Sequence, residues 1–258
     1  MRVYEQVIGI GQDCANANYL RLHGLRRFSS PFDWVAGWNS GFERYVELIC
    51  ADFVGFVEQE DFRLMEHPTG PDDDMAHDYY RNVRTGMGFF HDIPIHADLS
   101  EVFPEVKAKY LRRIERFKET LRTTKRVLLV YWTRTERLEE ALLKSAVKRL
   151  REHFHSRGID LLVLQTDTAS RRVVWRTVSR GIIVVTGPLY DAKLNVVMGN
   201  VALCNGIYAR IRRKEDVIRR IRERLQLTVM RMCTAFHLSS AARRRARERW
   251  RERQTGDR

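Results

Sequence analysis

Cys14 ends an apolar run broken by two glycines, Val7-Ile8-Gly9-Ile10-Gly11-Gln12-Asp13-Cys14, and Ala15-Asn16-Ala17-Asn18-Tyr19-Leu20 follows it. The run reads as a buried strand, and the residues after Cys14 read as the first turns of a helix. A thiol at such a junction lies near the partial positive charge of a helix N-terminus, which favours the thiolate, the reactive form. A thiol with a pKa of about 8.5 is only a few per cent ionised at neutral pH, so it needs help. An imidazole within hydrogen-bonding distance would take its proton, and a carboxylate would hold the ring in one tautomer. Backbone N–H groups of Cys14 and the next residues would face a developing oxyanion. That chemistry is acyl transfer: hydrolysis of a peptide, amide or ester, or transfer to another nucleophile. Gly11, Gln12 and Asp13 would then border the substrate. The competing reading is a small buried cysteine packed behind Gly11, and both stand at this level.

The chain has 8 histidines. His91, in Phe89-Phe90-His91-Asp92-Ile93, stands out because apolar neighbours would desolvate it and Asp92 follows it. His23 sits near a helix end, His67 and His77 flank an acidic loop and read as solvated, His153 and His155 lie on a polar helix end, and His237 is in a basic tail. On a strand, His91 and Asp92 point to opposite faces, which makes Asp33 the better orienting carboxylate. Asp33 lies in Ser30-Pro31-Phe32-Asp33-Trp34, a loop whose aromatics suggest packing against the core. Phe32 and Trp34 are candidates for lining a substrate groove, as is Trp38, although such residues also read as core.

Other constellations are weaker. Asp72-Asp73-Asp74 reads as a solvated loop rather than a cation site, since no glycine-spaced ligand pattern follows it. Gly9 and Gly11 lack the third glycine of a dinucleotide-binding turn, whose place Cys14 takes. Cys14, Cys50, Cys204 and Cys233 are scattered and form no CxxC pair, so neither a disulfide framework nor a zinc site is expected. No cofactor and no metal are expected.

The elements that must position these groups come from periodicity. With 258 residues, 44% of them hydrophobic, the chain can build one large domain or two small ones. Apolar spacing predicts helices over 40–50, 102–124 and 135–155, and continuous Val/Ile/Leu runs predict strands over 126–132, 159–165 and 181–186. Residues 67–88 read as an exposed polar loop, residues 86–93 as a glycine turn and short strand, and the stretch before Gly181 as a turn or short helix. The alternation predicts an α/β fold: a mainly parallel sheet with helices on both faces, doubly wound in style, with Cys14 at its C-terminal edge. No apolar stretch approaches the roughly 18–20 residues that span a bilayer. Residues 1–6 lack the apolar core of a secretory signal, so a cytoplasmic protein is expected.

The formal net charge is +13, but residues 207–258 hold 17 Lys and Arg against 6 Asp and Glu, leaving 29 against 27 in the rest. The expected division is therefore an α/β catalytic-like domain, 1–206, and an Arg-rich helical extension, 207–258, whose end has almost no apolar face and reads as frayed or disordered. Such an extension suits an anionic surface, lipid or nucleic acid. The near absence of aromatics beyond Trp250 argues against base stacking.

The motif Gly9-Ile10-Gly11-Gln12-Asp13-Cys14, then Tyr19-Leu20, Gly24-Leu25-Arg26 and Ser30-Pro31-Phe32-Asp33-Trp34, resembles the N-terminal block of a bacterial family known as "putative papain-like cysteine peptidases". Phe89-Phe90-His91-Asp92-Ile93 and the basic helix around Lys109-Tyr110-Leu111-Arg112-Arg113 resemble its later blocks, so the resemblance covers roughly residues 5–165. It implies a Cys/His hydrolase with Cys14 as nucleophile, His91 as base and later acid, and Asp92 or Asp33 orienting the imidazole. It also implies a helix-borne cysteine against an antiparallel sheet, whereas residues 126–186 read as parallel strands. Two rival functions remain: a domain acting on a nucleotide-linked sugar or envelope polysaccharide, with Cys14 inert, and a non-enzymatic adaptor for anionic surfaces.

Overall fold

A computed structural model describes residues 3–12, 14–37, 40–68, 77–134, 136–190 and 197–218, with the single positions 221, 225 and 228. Asp13, Trp38, the Asp72–Asp74 loop, Cys233, His237 and the Arg clusters beyond residue 218 lie outside the described residues.

The elements follow in the order β1 (Val3–Tyr4), β2 (Gln6–Gly9), α1 (Cys14–Leu22), β3 (Val35–Ala36), α2 (Gly41–Cys50), a 3-10 turn (Gln59–Asp61), β4 (Phe62–Glu66), β5 (His77–Asn82) and β6 (Gly88–Pro94). Then come α3 (Leu99–Thr123), β7 (Val127–Thr133), α4 (Glu140–His153), β8 (Ile159–Thr166), β9 (Val174–Ser179), β10 (Ile182–Gly187), α5 (Val201–Tyr208) and β11 (Arg212–Arg213). The fold is mixed α/β. A five-stranded sheet runs β2-β7-β8-β10-β9, parallel except for the antiparallel edge strand β9.

Strands β7 and β8 are buried almost throughout, as expected of parallel strands covered on both sides. Their side chains alternate between two cores. Val127, Leu129 and Tyr131 join Ile8, Leu161 and Val163 in a core with residues of α2, α3 and α4. Leu128, Val130 and Trp132 join Val7, Leu162 and Leu164 in a second core with residues of α1 and α5. α3 shows why the local sequence is helical. The Asp98 side chain accepts from the Ser100 N–H, Pro104 falls early, and Phe103, Val106, Tyr110, Ile114, Phe117 and Leu121 make one buried stripe. Each such side chain gains about 1.5–3 kcal/mol from burial.

Three expectations are corrected. First, β3-β6-β5-β4 form a four-stranded antiparallel sheet, and β5 occupies part of what reads as a polar loop. Its inward positions are Asp78, Tyr80 and Asn82, so no apolar alternation announces it. Second, β9 replaces the expected turn or short helix before Gly181. It is an exposed edge strand joined to β10 by a hairpin in which Gly181 has φ +89°, so its sequence carries little burial signal. Third, α4 begins at Glu140 rather than 135, because Glu136 is engaged elsewhere.

The chain divides into two compact units, Met1–Arg213 and Lys214–Arg258. The expected boundary at 206 falls inside α5, and β11, beyond it, pairs in parallel with β1. The second unit is helical at 214–218.

Candidate active site

α1 begins at Cys14, which is half-buried and in no disulfide. The turn before it is held to the sheet by backbone bonds that continue the β2–β7 ladder. Ile10 N–H donates to Val130 O at 2.9 Å, Trp132 N–H to Gly11 O at 3.2 Å, and Gln12 N–H to Trp132 O at 3.1 Å. Gly11 has φ +128°, and a Cβ there would lie 2.7 Å from the Tyr45 ring, so the turn demands glycine on both counts. Gln12 is 2% exposed. Its carbonyl accepts from Gly37 N–H at 2.8 Å, and its Oε1 accepts from Arg134 N–H at 3.1 Å. Gln12 thus clasps the ends of β2, β3 and β7 together.

Asn16, one helical turn on, was invisible as a functional position. Its Nδ2 donates to Gly11 O and to Val130 O, both at 2.8 Å, and its Oδ1 accepts from Tyr208 OH at 2.9 Å. A polar amide among Ala15, Ala17, Tyr19 and Leu20 on a buried helix face is the one signal that could have flagged it.

The Ser30–Trp34 loop is a charged clamp. Ser30 Oγ lies 2.8 Å from Gly9 O and 2.9 Å from Asp33 Oδ1, Ser30 N–H donates to Asp33 Oδ2 at 3.0 Å, and Arg26 Nε is 2.7 Å from the same oxygen. Burial pushes the Asp33 carboxyl above its ordinary range, and Arg26 and Ser30 pull it partly back. Phe32, 1% exposed, sits among Tyr45, Phe53, Phe56 and Phe117. It anchors the loop in the core rather than lining a groove. Trp34 is half-buried, with the Arg26 guanidinium 5.7 Å above its ring.

His91, on β6, meets this loop. Its ring centroid is 5.6 Å from that of Trp34 in an edge-on arrangement, and β3, the strand after Trp34, pairs with β6 through Val35–Phe89 and Ala36–Gly88. Asp92 turns toward α3, as strand alternation requires. Lys109 Nζ is 2.5 Å from one of its oxygens, and Tyr110 OH donates to the other at 2.7 Å. Burial and this carboxylate raise the Tyr110 phenol well above its usual range.

Of the other cysteines, Cys204 is fully buried and burial pushes its thiol up to about 12, while burial also raises Cys50. Both are driven toward the unreactive neutral form. Glu136, just past β7, is a further residue that the sequence did not single out. Its carboxylate accepts from Phe42 N–H at 3.0 Å and from Tyr131 OH at 3.2 Å, so it caps α2 from across the fold. Among the histidines, His67 is not simply solvated: its Nδ1 is 2.6 Å from the buried Asp78. His23 Nε2 lies 2.9 Å from Asn205 Oδ1. No helix among the described residues is long and apolar enough to cross a membrane.

A protein of Acanthamoeba polyphaga mimivirus, "Uncharacterized protein R408", is 30% identical over 168 residues, 60% of this chain and 69% of its own length. No solved structure matches the chain. A family profile matches residues 5–168, a span that holds Cys14, the Ser30–Trp34 loop, His91 and the sheet as far as β8. The chain therefore belongs to the family described as "Putative papain-like cysteine peptidase (DUF1796)".

Proposed function

We propose that this protein is a cysteine-dependent acyl-transfer enzyme, a hydrolase of a peptide, amide or ester bond. Cys14 is its nucleophile and His91 its general base. The observation that carries this reading is the bridging role of the Ser30–Trp34 loop. One end of the loop holds the carbonyl of Gly9, on the strand that leads to Cys14, and the other packs Trp34 against His91. Two residues distant in sequence are thereby tied to one short segment. Membership of a family described as cysteine peptidases supports a thiol nucleophile within the matched residues 5–168, which include Cys14.

In this reading His91 takes the thiol proton, and the Cys14 sulfur attacks the substrate carbonyl. Backbone N–H groups at the start of α1 face the oxyanion, where the helix dipole favours negative charge. As the tetrahedral intermediate collapses, the leaving amine or alkoxide departs with the proton held by His91. Water, deprotonated by His91, then cleaves the thioester and regenerates the thiol. Asp33 acts as a positioning residue: with Arg26 and Ser30 it fixes the loop, hence Trp34, hence the ring packed on it. Asp92 is bound to Lys109 and Tyr110 and serves the β6–α3 contact. Gly11 and Gln12 shape the turn beneath the substrate, and we take the five-stranded sheet to be doubly wound, with this turn at its C-terminal edge. The reading suits a reducing compartment such as the cytoplasm. The Arg-rich residues 207–258 would meet an anionic surface.

The test is alkylation by an iodoacetamide probe at neutral pH, with labelled peptides identified by mass spectrometry. Label is expected on Cys14, lost in Cys14→Ala, and slowed at least about ten-fold in His91→Gln with its pH profile moved toward that of a free thiol. Label that persists in Cys14→Ala, or falls on Cys204, would overturn the proposal.

A further inference from the structure

His67, Asp78 and His96 meet at one end of the antiparallel sheet. His67 follows β4, Asp78 is the second residue of β5, and His96 lies just past β6. His67 Nδ1 is 2.6 Å from Asp78 Oδ1, the backbone N–H of His96 donates to Asp78 Oδ2 at 2.9 Å, and the two imidazole centroids are 4.8 Å apart. A nitrogen from each ring and an oxygen of the carboxylate all lie within 4.8 Å of one another. Separations of 11 and 18 residues form no ligand motif, so only the β4-β5-β6 meander brings the three together.

The chemistry of the set is that of a metal centre. Asp78 is 1% exposed, and a buried carboxylate is costly unless a cation offsets it. The ion pair shown for it is with His67, whose ring is charged only when protonated. A divalent ion would neutralise the carboxylate and use both neutral rings as ligands. Ligand atoms about 2.0–2.2 Å from zinc stand roughly 3.3–3.6 Å from each other. Both histidines are exposed, so side-chain rotation can close that gap without disturbing the sheet. Two imidazoles with one carboxylate favour zinc and neighbouring transition ions over magnesium or calcium, and leave a coordination position for water.

We propose that His67, Asp78 and His96 form a transition-metal site, suited to zinc, that clips the end of β6 to β4 and β5. The site is independent of the thiol chemistry, although β6 is also the strand that carries His91.

The experiment titrates zinc chloride into the full chain after chelator treatment and dialysis, and reads stoichiometry and affinity by calorimetry. The parent is expected to take one zinc more than His67→Gln/His96→Gln, and Asp78→Asn is expected to weaken that site at least ten-fold. Zinc should raise the melting temperature of the parent and not of the double variant. Equal uptake at equal affinity by parent and double variant would overturn the proposal, as would magnesium binding as tightly as zinc. Iodoacetamide labelling of Cys14 at the parental rate checks that the double variant is folded. If it is not, His96→Gln alone, at an exposed ring, must show the weakened site.

Discussion

Asn16 carries more of the candidate site than its place in an unremarkable helix suggests. Its amide joins the carbonyls of Gly11 and Val130 on one side and the Tyr208 hydroxyl on the other, so it locks the first turn of α1 to both β7 and α5. Asn16→Ala removes the acceptor of the buried Tyr208 hydroxyl and the second donor of the Gly11 and Val130 carbonyls, which keep their backbone bonds from Trp132 and Ile10, and it costs about 1–3 kcal/mol. Urea unfolding should show that loss together with slower alkylation of Cys14, since the turn that presents the sulfur is released. A loss below about 1 kcal/mol would mean that water replaces the amide and that the turn is held by its backbone bonds alone. The same scale explains why the clamp around Asp33 matters. Its three close polar contacts all come from residues 26–33, and the Ser30 hydroxyl, 2.8 Å from Gly9 O, ties that clamp to β2.

Elements are positioned by residues outside them. α2 has Ser40 at its N-cap with no side-chain capping bond, and the Glu136 carboxylate, 94 residues away, supplies the acceptor instead. Glu136→Ala should therefore cost about 1–2 kcal/mol, by loss of a cap and of a negative charge at a helix N-terminus. Glu136→Gln, which keeps an acceptor without the charge, should recover about half, and thermal unfolding of the pair separates the two contributions. This engagement also explains the late start of α4. The hydrophobic spacing from 138 onward is helical, but Glu136 is drawn off to serve α2, and the helix begins only at Glu140. β5 and β9 escaped the sequence for different reasons. β5 buries polar side chains, and β9 buries little.

At the scale of the molecule, buried ionisable groups set how stability responds to pH. Burial raises the Asp33 carboxyl, so its folded form holds the proton more tightly than the unfolded chain does. Its contribution is complete below the unfolded value of about 3.9 and is lost as pH rises through the raised folded value. Asp52 has the opposite sign. Lys118 lowers it, so its contribution is present above the ordinary value and fades as pH falls. It is half-exposed, and its effect is correspondingly small. Asp33→Asn should gain melting temperature relative to the parent as pH rises from about 4 to about 8. A difference running the other way would show that Arg26 and Ser30 outweigh burial.

Local sequence determined a good part of this protein. The Gly11–Cys14 turn, the Ser-Pro-Phe-Asp-Trp loop, α2, α3 and the strands β7, β8 and β10 were legible because glycine, proline and apolar periodicity act over a few residues. Which carboxylate serves which partner was not legible. Asp92 binds Lys109 and Tyr110 because strand alternation turns it toward α3, and Asp33 binds Arg26 and Ser30 across a loop that only folding closes. The antiparallel sheet was likewise decided by tertiary structure, since its inward faces are partly polar and owe their burial to long-range pairing. The meeting of Trp34 with His91, and of His67 with Asp78 and His96, arises from that sheet: strand pairing sums contacts across tens of residues that no local pattern encodes.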